Sequence, residues 1–285
     1  MRTNRAILEV PVSRVNQNTG KVETGILTVR PARKDMQELK AVAELYAARM
    51  KPGLEQFGVT PGQLKDRCDR DPKSILLGFI NGELVSKISI VKISGPIPST
   101  YQELTGNDTW ETSDPTTGNI WVCPWVTTHP DKGAGWKGEL NGRTKSLGQL
   151  QVSAVAIAAK EAASTVKAVV AYSRPGDLYE YLVERWGEGR ISINLPGRMV
   201  LDGYKMIKID KEKNEFYYTY GGSSRVIFSL MQYLNLRAAG RIYDTVIRMH
   251  VENGAVLDWK MIFPYGQVWD GRSIFYRICL VYGLI

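Results

Sequence analysis

The sequence predicts an α/β protein built on a mixed sheet, and three observations carry this prediction. Residues 166–172 form a nearly continuous apolar run, which is typical of a buried central strand. Residues 36–46 place apolar side chains at helical spacing. Asn81-Gly82 separates two strand-like runs and favours the type I′ turn of a β-hairpin. Strands and helices therefore alternate along the chain, as they do in layered α/β domains.

The first half of the chain starts with polar residues 1–24, which we interpret as an N-terminal extension or an extra edge strand. Thr60-Pro61 combines a helix N-cap with a proline at the first helical position. In order, the predicted elements are a strand at 25–30, a helix at 36–46, a helix from Pro61, a hairpin of 74–80 with 84–93, and a loop at 94–119.

The second half continues the alternation. Pro124 lies inside a predicted strand and cannot donate a hydrogen bond to a neighbouring strand, so it favours a bulge or a splay there. Gly254 is the expected left-handed cap of the last helix. The predicted elements are strand 120–128, helix 149–163, strand 166–172, an insertion at 176–239, helix 241–253, and strands 255–263 and 273–282. Residues 25–285 are thus expected to form one domain with an insertion.

Composition and charge narrow the classes of function. The three cysteines lie far apart without metal-ligand spacing, which favours a reducing cytoplasm and gives no reason to expect a metal. The chain contains neither a run of 18 apolar residues nor a signal-peptide core, so no membrane association is expected. A net charge of +8 favours an anionic partner. Because the basic residues are scattered, the sequence disfavours nucleic acid and leaves a phosphate-bearing small molecule.

One motif points to such a molecule. The pattern Arg143-x-x-Ser146-x-Gly148 follows a strand and precedes a long helix. Backbone N–H groups at a helix N-terminus bind pyrophosphate without needing a particular side chain, and Arg143 and Lys145 add positive charge. The alternative is an ordinary glycine-containing helix start.

The second candidate is His250, one of only two histidines, which stands four residues before Gly254. Imidazole titrates near neutral pH, so His250 is a candidate acid or base. The alternative is a cation at a helix C-terminus, where it would interact favourably with the helix dipole. The carboxylates of Asp108, Glu111 and Asp114 are interpreted as a solvated loop.

Together, the order of elements, the Arg143–Gly148 motif and the ending His250-x-x-x-Gly254-Ala255 resemble the Gcn5-related N-acetyltransferase (GNAT) superfamily of acyl-CoA-dependent transferases. The string Ala171-Tyr-Ser-Arg-Pro175, followed by the His250 segment, is more weakly similar to the GNAT-like domains of polyketide synthase loading modules. Two departures stand out: Ser146 replaces the usual first loop glycine, and Pro264-Tyr265-Gly266 lacks the arginine expected there.

This resemblance implies a GNAT fold with about seven strands, a splayed central pair and helices on both faces. It implies that acetyl-CoA or another acyl-CoA is the co-substrate and that His250 takes the place of the family's catalytic tyrosine, as acid for the leaving sulfur. The cofactor-binding residues that it implies are Val126, Thr127, Thr128, Arg143, Thr144, Lys145, Ser146, Leu147, Gly148 and Gln149.

Three functions are compatible with the resemblance. The first is N-acyl transfer from acyl-CoA to an unknown amine acceptor, with the N–H group of Val126 or Thr127 stabilising the oxyanion. The second is decarboxylation of a malonyl group or S-acyl transfer with an acyl carrier protein, in which His250 polarises or protonates an enolate. The third is a non-catalytic CoA-binding protein, which the two departures suggest.

Overall fold

A computed structural model of the protein describes residues 5–49, 59–162, 166–173, 175, 177, 178, 180, 181, 184, 191–195, 198–201, 207–210, 215–220, 223–238, 240, 244–263 and 277–282. Its main feature is a ten-stranded mixed sheet. The strands are β1 Leu8–Val15, β2 Val22–Pro31, β3 Ile75–Ile80, β4 Glu83–Ile93, β5 Ile120–Thr128, β6 Lys137–Leu140, β7 Arg143–Ser146, β8 Ala168–Ser173, β14 Ala255–Phe263 and β15 Arg277–Tyr282. Their order is β14-β15-β8-β5-β4-β3-β2-β1-β6-β7.

The seven strands that the sequence predicts are all present, and three more extend the sheet beyond β2. Strand β1 lies between β2 and β6, so of the two interpretations of residues 1–24 the extra edge strand is wrong. Strands β6 and β7 form a hairpin closed by Asn141-Gly142, with φ of 54° and 70°. The turn between β3 and β4, at Asn81-Gly82, has φ of 51° and 84°. Both hairpins therefore contain the same Asn-Gly signal. The hairpin at Asn81-Gly82 was predicted from the sequence, and the one at Asn141-Gly142 was not.

Helices cover both faces of the sheet. Helices α1 (Met36–Arg49) and α2 (Pro61–Arg70) pack on the face that carries Ile75 and Leu77. Helix α4 (Leu147–Glu161) packs on the opposite face, which carries Leu76. This alternation along β3 follows from the two-residue period of a strand.

The expected loop 94–119 contains one short helix, α3 (Tyr101–Thr105), which corrects the prediction. Thr100 caps its first turn and Glu103 reaches back to the N–H of Thr100. This pair is a capping box, a signal that the Pro/Thr-rich composition of the segment obscured.

Strands β5 and β8 are the parallel pair at the centre of the sheet, and they separate. Their pairing runs from Ile120 with Ala168 to Cys123 with Ala171 and ends there. Pro124 follows directly. Beyond it β5 continues to Thr128 beside β4 alone. The predicted splay is confirmed, because proline cannot supply the next hydrogen bond to β8.

The predicted insertion contains two small antiparallel sheets. Strands β9 (Ile191–Leu195) and β10 (Arg198–Leu201) form one, and β11 (Ile207–Asp210), β12 (Glu215–Tyr220) and β13 (Ser223–Ser229) form the other. Helix α5 (Leu230–Ala238) follows, and α6 (Thr245–Glu252) carries His250. Gly254 has φ of 91°, as expected for the residue that ends α6.

Three observations on the described residues bear on the classes of partner. None of their helices is long and apolar enough to cross a membrane. No group of three or more His, Cys, Asp or Glu side chains in this part of the chain is placed to hold a metal ion. Cys68, Cys123 and Cys279 are all buried and free.

Candidate functional site

The splay between β5 and β8 exposes backbone groups on one side of β5. The N–H of His129 donates to the carbonyl oxygen of Val85 on β4 at 2.8 Å, and Thr127 pairs with Lys87 on the same side. Backbone groups alternate in direction along a strand, so those of Val126 point away from β4, toward the gap that β8 has left. Of the two oxyanion donors considered, Val126 or Thr127, strand alternation favours Val126.

Helix α4 begins beside this gap. Ser146 is its N-cap, and Ser146 and Gln149 each accept a hydrogen bond from the other's backbone N–H, at 3.4 and 2.8 Å. This capping box leaves the N–H groups of Leu147 and Gly148 as donors at the positive end of the helix dipole. A Cβ atom on Gly148 would lie 3.9 Å from Val126, so the helix start and the splay are in contact.

The four residues before α4 differ from the expected phosphate loop. Arg143–Ser146 form strand β7, in which Lys145 pairs with Gly138 of β6. Arg143 and Thr144 are exposed. Lys145 donates hydrogen bonds to Asn253 and, at 3.2 Å, to Ser153, and burial, followed by the charge of Arg143, lowers its pKa. The backbone N–H groups that remain as candidates for binding an anion are those of the helix start, where Leu147 and Gly148 are buried.

Helix α6 packs on the first turn of α4. A Cβ atom on Gly148 would lie 2.9 Å from the sulfur of Met249, so the side chain of Met249 lies directly on the first turn of α4. Gln149 donates to the backbone oxygen of Met249 at 3.3 Å, and Asn253 donates to the backbone oxygen of Gln149 at 3.0 Å. These contacts bring His250 to the α4 side of the sheet, next to the splay.

His250 is buried, with 3% of its surface exposed, and its Nδ1 lies 2.6 Å from the hydroxyl oxygen of Tyr282 on β15. Burial lowers the pKa of His250 from its ordinary value of 6.5 to about 4. Burial also raises the pKa of Tyr282, and the nearby Cys123 raises it further. Cys123 is the last β5 residue paired with β8, so this histidine–tyrosine pair lies close to the point where the strands part. At neutral pH the imidazole is uncharged, which argues against a helix-end cation.

Sequence reasoning found His250, the helix start and the splay, and the structure brings all three together. It missed Tyr282 as the partner of His250, because the two residues are 32 positions apart in the chain. It also missed three buried basic side chains, those of Arg67, Lys87 and Lys92. Lys87 could have been noticed, since it interrupts an otherwise largely apolar strand. Residues 264–266, which lack the expected arginine, lie outside the described residues.

Comparisons with known proteins extend these observations. No family model matches the chain, and no curated protein shows significant similarity to it in sequence. Among solved structures, the GNAT-like decarboxylase GphF in complex with isobutyryl-CoA has a TM-score of 0.58 at 17% identity, over 90% of this chain and 99% of its own. The loading GNATL domain of CurA from Lyngbya majuscula has a TM-score of 0.53 at 12% identity, over 90% and 98%. Malonyl-CoA decarboxylase from Rhodopseudomonas palustris also has a TM-score of 0.53, at 13% identity, over 90% of this chain and 56% of its own.

Proposed function

We infer that this chain, which has the GNAT fold, binds an acyl-CoA thioester at the β5–β8 splay and catalyses acyl chemistry there. The observation that carries this inference is the contact between the splayed strand and the start of α4. Ligands of open α/β sheets bind outside the carboxyl ends of the strands, and a helix N-terminus favours an anion at that place. The CoA pyrophosphate would accept hydrogen bonds from Leu147 and Gly148, and exposed Arg143 would add charge.

The first reaction that we propose is acyl transfer to an amine. The thioester carbonyl would lie against β5, where the N–H of Val126 stabilises the oxyanion. As the C–N bond forms and the C–S bond breaks, His250 would donate a hydrogen bond to the departing sulfur, and the sulfur takes up the proton that the attacking amine loses. With the hydroxyl proton of Tyr282 donated to Nδ1, the imidazole proton stands on Nε2, and the ring acts as a neutral donor.

The second candidate is decarboxylation of a malonyl-type thioester, or S-acyl transfer with an acyl carrier protein. The low pKa of His250 favours it, because a neutral N–H polarises the enolate that forms as carbon dioxide leaves. Two of the similar structures are decarboxylases and one is a loading domain. The third candidate, CoA binding without catalysis, would use the same helix start. Conversion of malonyl-CoA to acetyl-CoA without an added acceptor, detected by mass spectrometry, separates decarboxylation from acyl transfer and from binding without catalysis.

The CoA site itself is tested by Gly148→Asp. Two like charges about 4 Å apart near a protein surface repel by about 4 kcal/mol. A carboxylate at this position is therefore expected to weaken CoA binding at least about tenfold, measured by isothermal titration calorimetry.

Gly148→Ala is the matched control for this test. It introduces the same Cβ atom near the flexible Met249 side chain but no charge. We expect it to retain most of the CoA affinity. Equal affinities for the wild-type protein and Gly148→Asp would place the pyrophosphate elsewhere.

A further inference from the structure

A cluster of buried polar side chains lies on the sheet face opposite α4, and neither the CoA site nor His250 uses it. We call it the Lys87 cluster, and its members are Tyr46, Arg67, Lys87, Ser89 and Thr127. Thr127 pairs with Lys87, and Ser89 pairs with Trp125, across β4 and β5. The ring of Trp125, two residues beyond the last β5–β8 pair, lies 6.4 Å from the ring of Tyr46. The cluster therefore adjoins the splay from the α1–α2 side.

The cluster contains two buried basic side chains, Lys87 and Arg67, and the one carboxylate described near Arg67 is that of Asp108. Lys87 is fully buried, and its Nζ lies 3.1 Å from Ser89 Oγ and 3.1 Å from the ring centre of Tyr46. Arg67 is 1% exposed and donates at 2.9 Å to the backbone oxygen of Asp108, whose partly exposed carboxylate lies 3.6 Å away. Burial, and then the charge of Arg67, holds the pKa of Lys87 well below its ordinary range.

Three buried polar atoms of the cluster lack a hydrogen-bond partner in the described part of the chain: Nε and Nη1 of Arg67 and Oγ1 of Thr127. A second buried lysine on the same strand shows the usual arrangement. Lys92 Nζ lies 2.9 and 2.8 Å from the two carboxylate oxygens of buried Asp71. Buried cations are costly unless they are paired, so the difference between Lys87 and Lys92 requires a reason.

We propose that Arg67, Lys87 and Thr127 bind a carboxylate of the substrate on the α1–α2 side of the splay. A carboxylate accepts several hydrogen bonds at once, and guanidinium, ammonium and hydroxyl groups are the donors that suit it. Its arrival would supply the missing hydrogen-bond partners and a negative charge that favours protonated Lys87. This proposal deepens the proposed function and rests on it, since the carboxylate belongs either to the acyl group or to the acceptor.

Binding measurements by calorimetry distinguish these two sources. If the acyl group carries the carboxylate, malonyl-CoA binds at least tenfold more tightly than acetyl-CoA. If the acceptor carries it, the two thioesters bind equally, and the CoA-saturated protein binds N-acetylglycine at least tenfold more tightly than N-acetylglycinamide. If CoA binds but neither carboxylate-containing ligand is preferred, the carboxylate site is wrong and the proposed function stands. If neither CoA nor its thioesters bind, the proposed function is wrong and this inference is overturned with it.

Lys87→Met should remove most of the preference and leave CoA affinity unchanged. The melting temperature tests the alternative that Lys87 only stabilises the fold. Breaking a buried ion pair destabilises a protein, whereas removing a buried lysine without a carboxylate partner does not. We expect Lys87→Met to keep or raise the melting temperature, whereas Lys92→Met lowers it and keeps the carboxylate preference. A lowered melting temperature in Lys87→Met with an intact preference would assign the cluster to the fold alone.

Discussion

Replacing His250 with alanine is expected to lower turnover about 100-fold or more while CoA affinity stays nearly unchanged, because a hydrogen bond to the departing sulfur or to an enolate acts mainly in the transition state. Turnover would be followed as thiol release from acetyl-CoA with a panel of amines, and as conversion of malonyl-CoA to acetyl-CoA. Affinity would be measured on the same preparations by calorimetry with CoA. The two thioesters also report which of the proposed reactions depends on His250.

His129→Ala is the matched control, since it removes the only other histidine. The Nδ1 of His129 accepts hydrogen bonds from the N–H groups of Asp131 and Lys132, both at 3.2 Å, which are contacts within a turn. Its loss should leave turnover unchanged. Tyr282→Phe, which removes the hydroxyl group beside His250 Nδ1, should lower turnover by less than His250→Ala. Unchanged turnover of His250→Ala with both thioesters would remove His250 from the mechanism.

The second large effect is a loss of stability in acid that depends on His250. The folded protein holds this imidazole at a pKa of about 4, against 6.5 for an ordinary imidazole, because burial disfavours its charged form. The unfolded chain thus binds the proton more tightly. The contribution of His250 to stability is fully present above pH 6.5 and is lost as the pH falls toward 4. A pKa difference of this size corresponds to about 3 kcal/mol of unfolding free energy.

Urea unfolding at pH 7 and pH 4.5 would measure this contribution. Carboxylates also titrate in this range, so the comparison is with His250→Gln, which keeps a polar side chain that does not titrate. We expect the wild-type protein to lose more stability than the variant between the two pH values. Equal losses would show that His250 is not held neutral by burial.

Local sequence determined most of the elements near the site. Asn81-Gly82 specifies its hairpin because both residues accept the positive φ that the turn requires. The apolar run 166–172 predicted the central strand, because its own side chains are the ones that are buried there. Pro124 predicted the splay, because its own backbone nitrogen cannot donate a hydrogen bond. Ser146 caps α4 through a contact three residues away. These signals lie within a few residues of the structure that they predict, so they could be recognised without the fold.

Tertiary structure decided what lies next to what. Strand β1 lies inside the sheet because β6, more than 120 residues later, pairs with it. His250 is neutral because α6 packs against α4 and Tyr282, and burial rather than residue type sets its pKa. Lys87 and Thr127 face each other only through the register of β4 and β5. Solvation and charge balance depend on neighbours that are distant in the chain, and for that reason the sequence identified the candidate groups while the fold determined their chemical state.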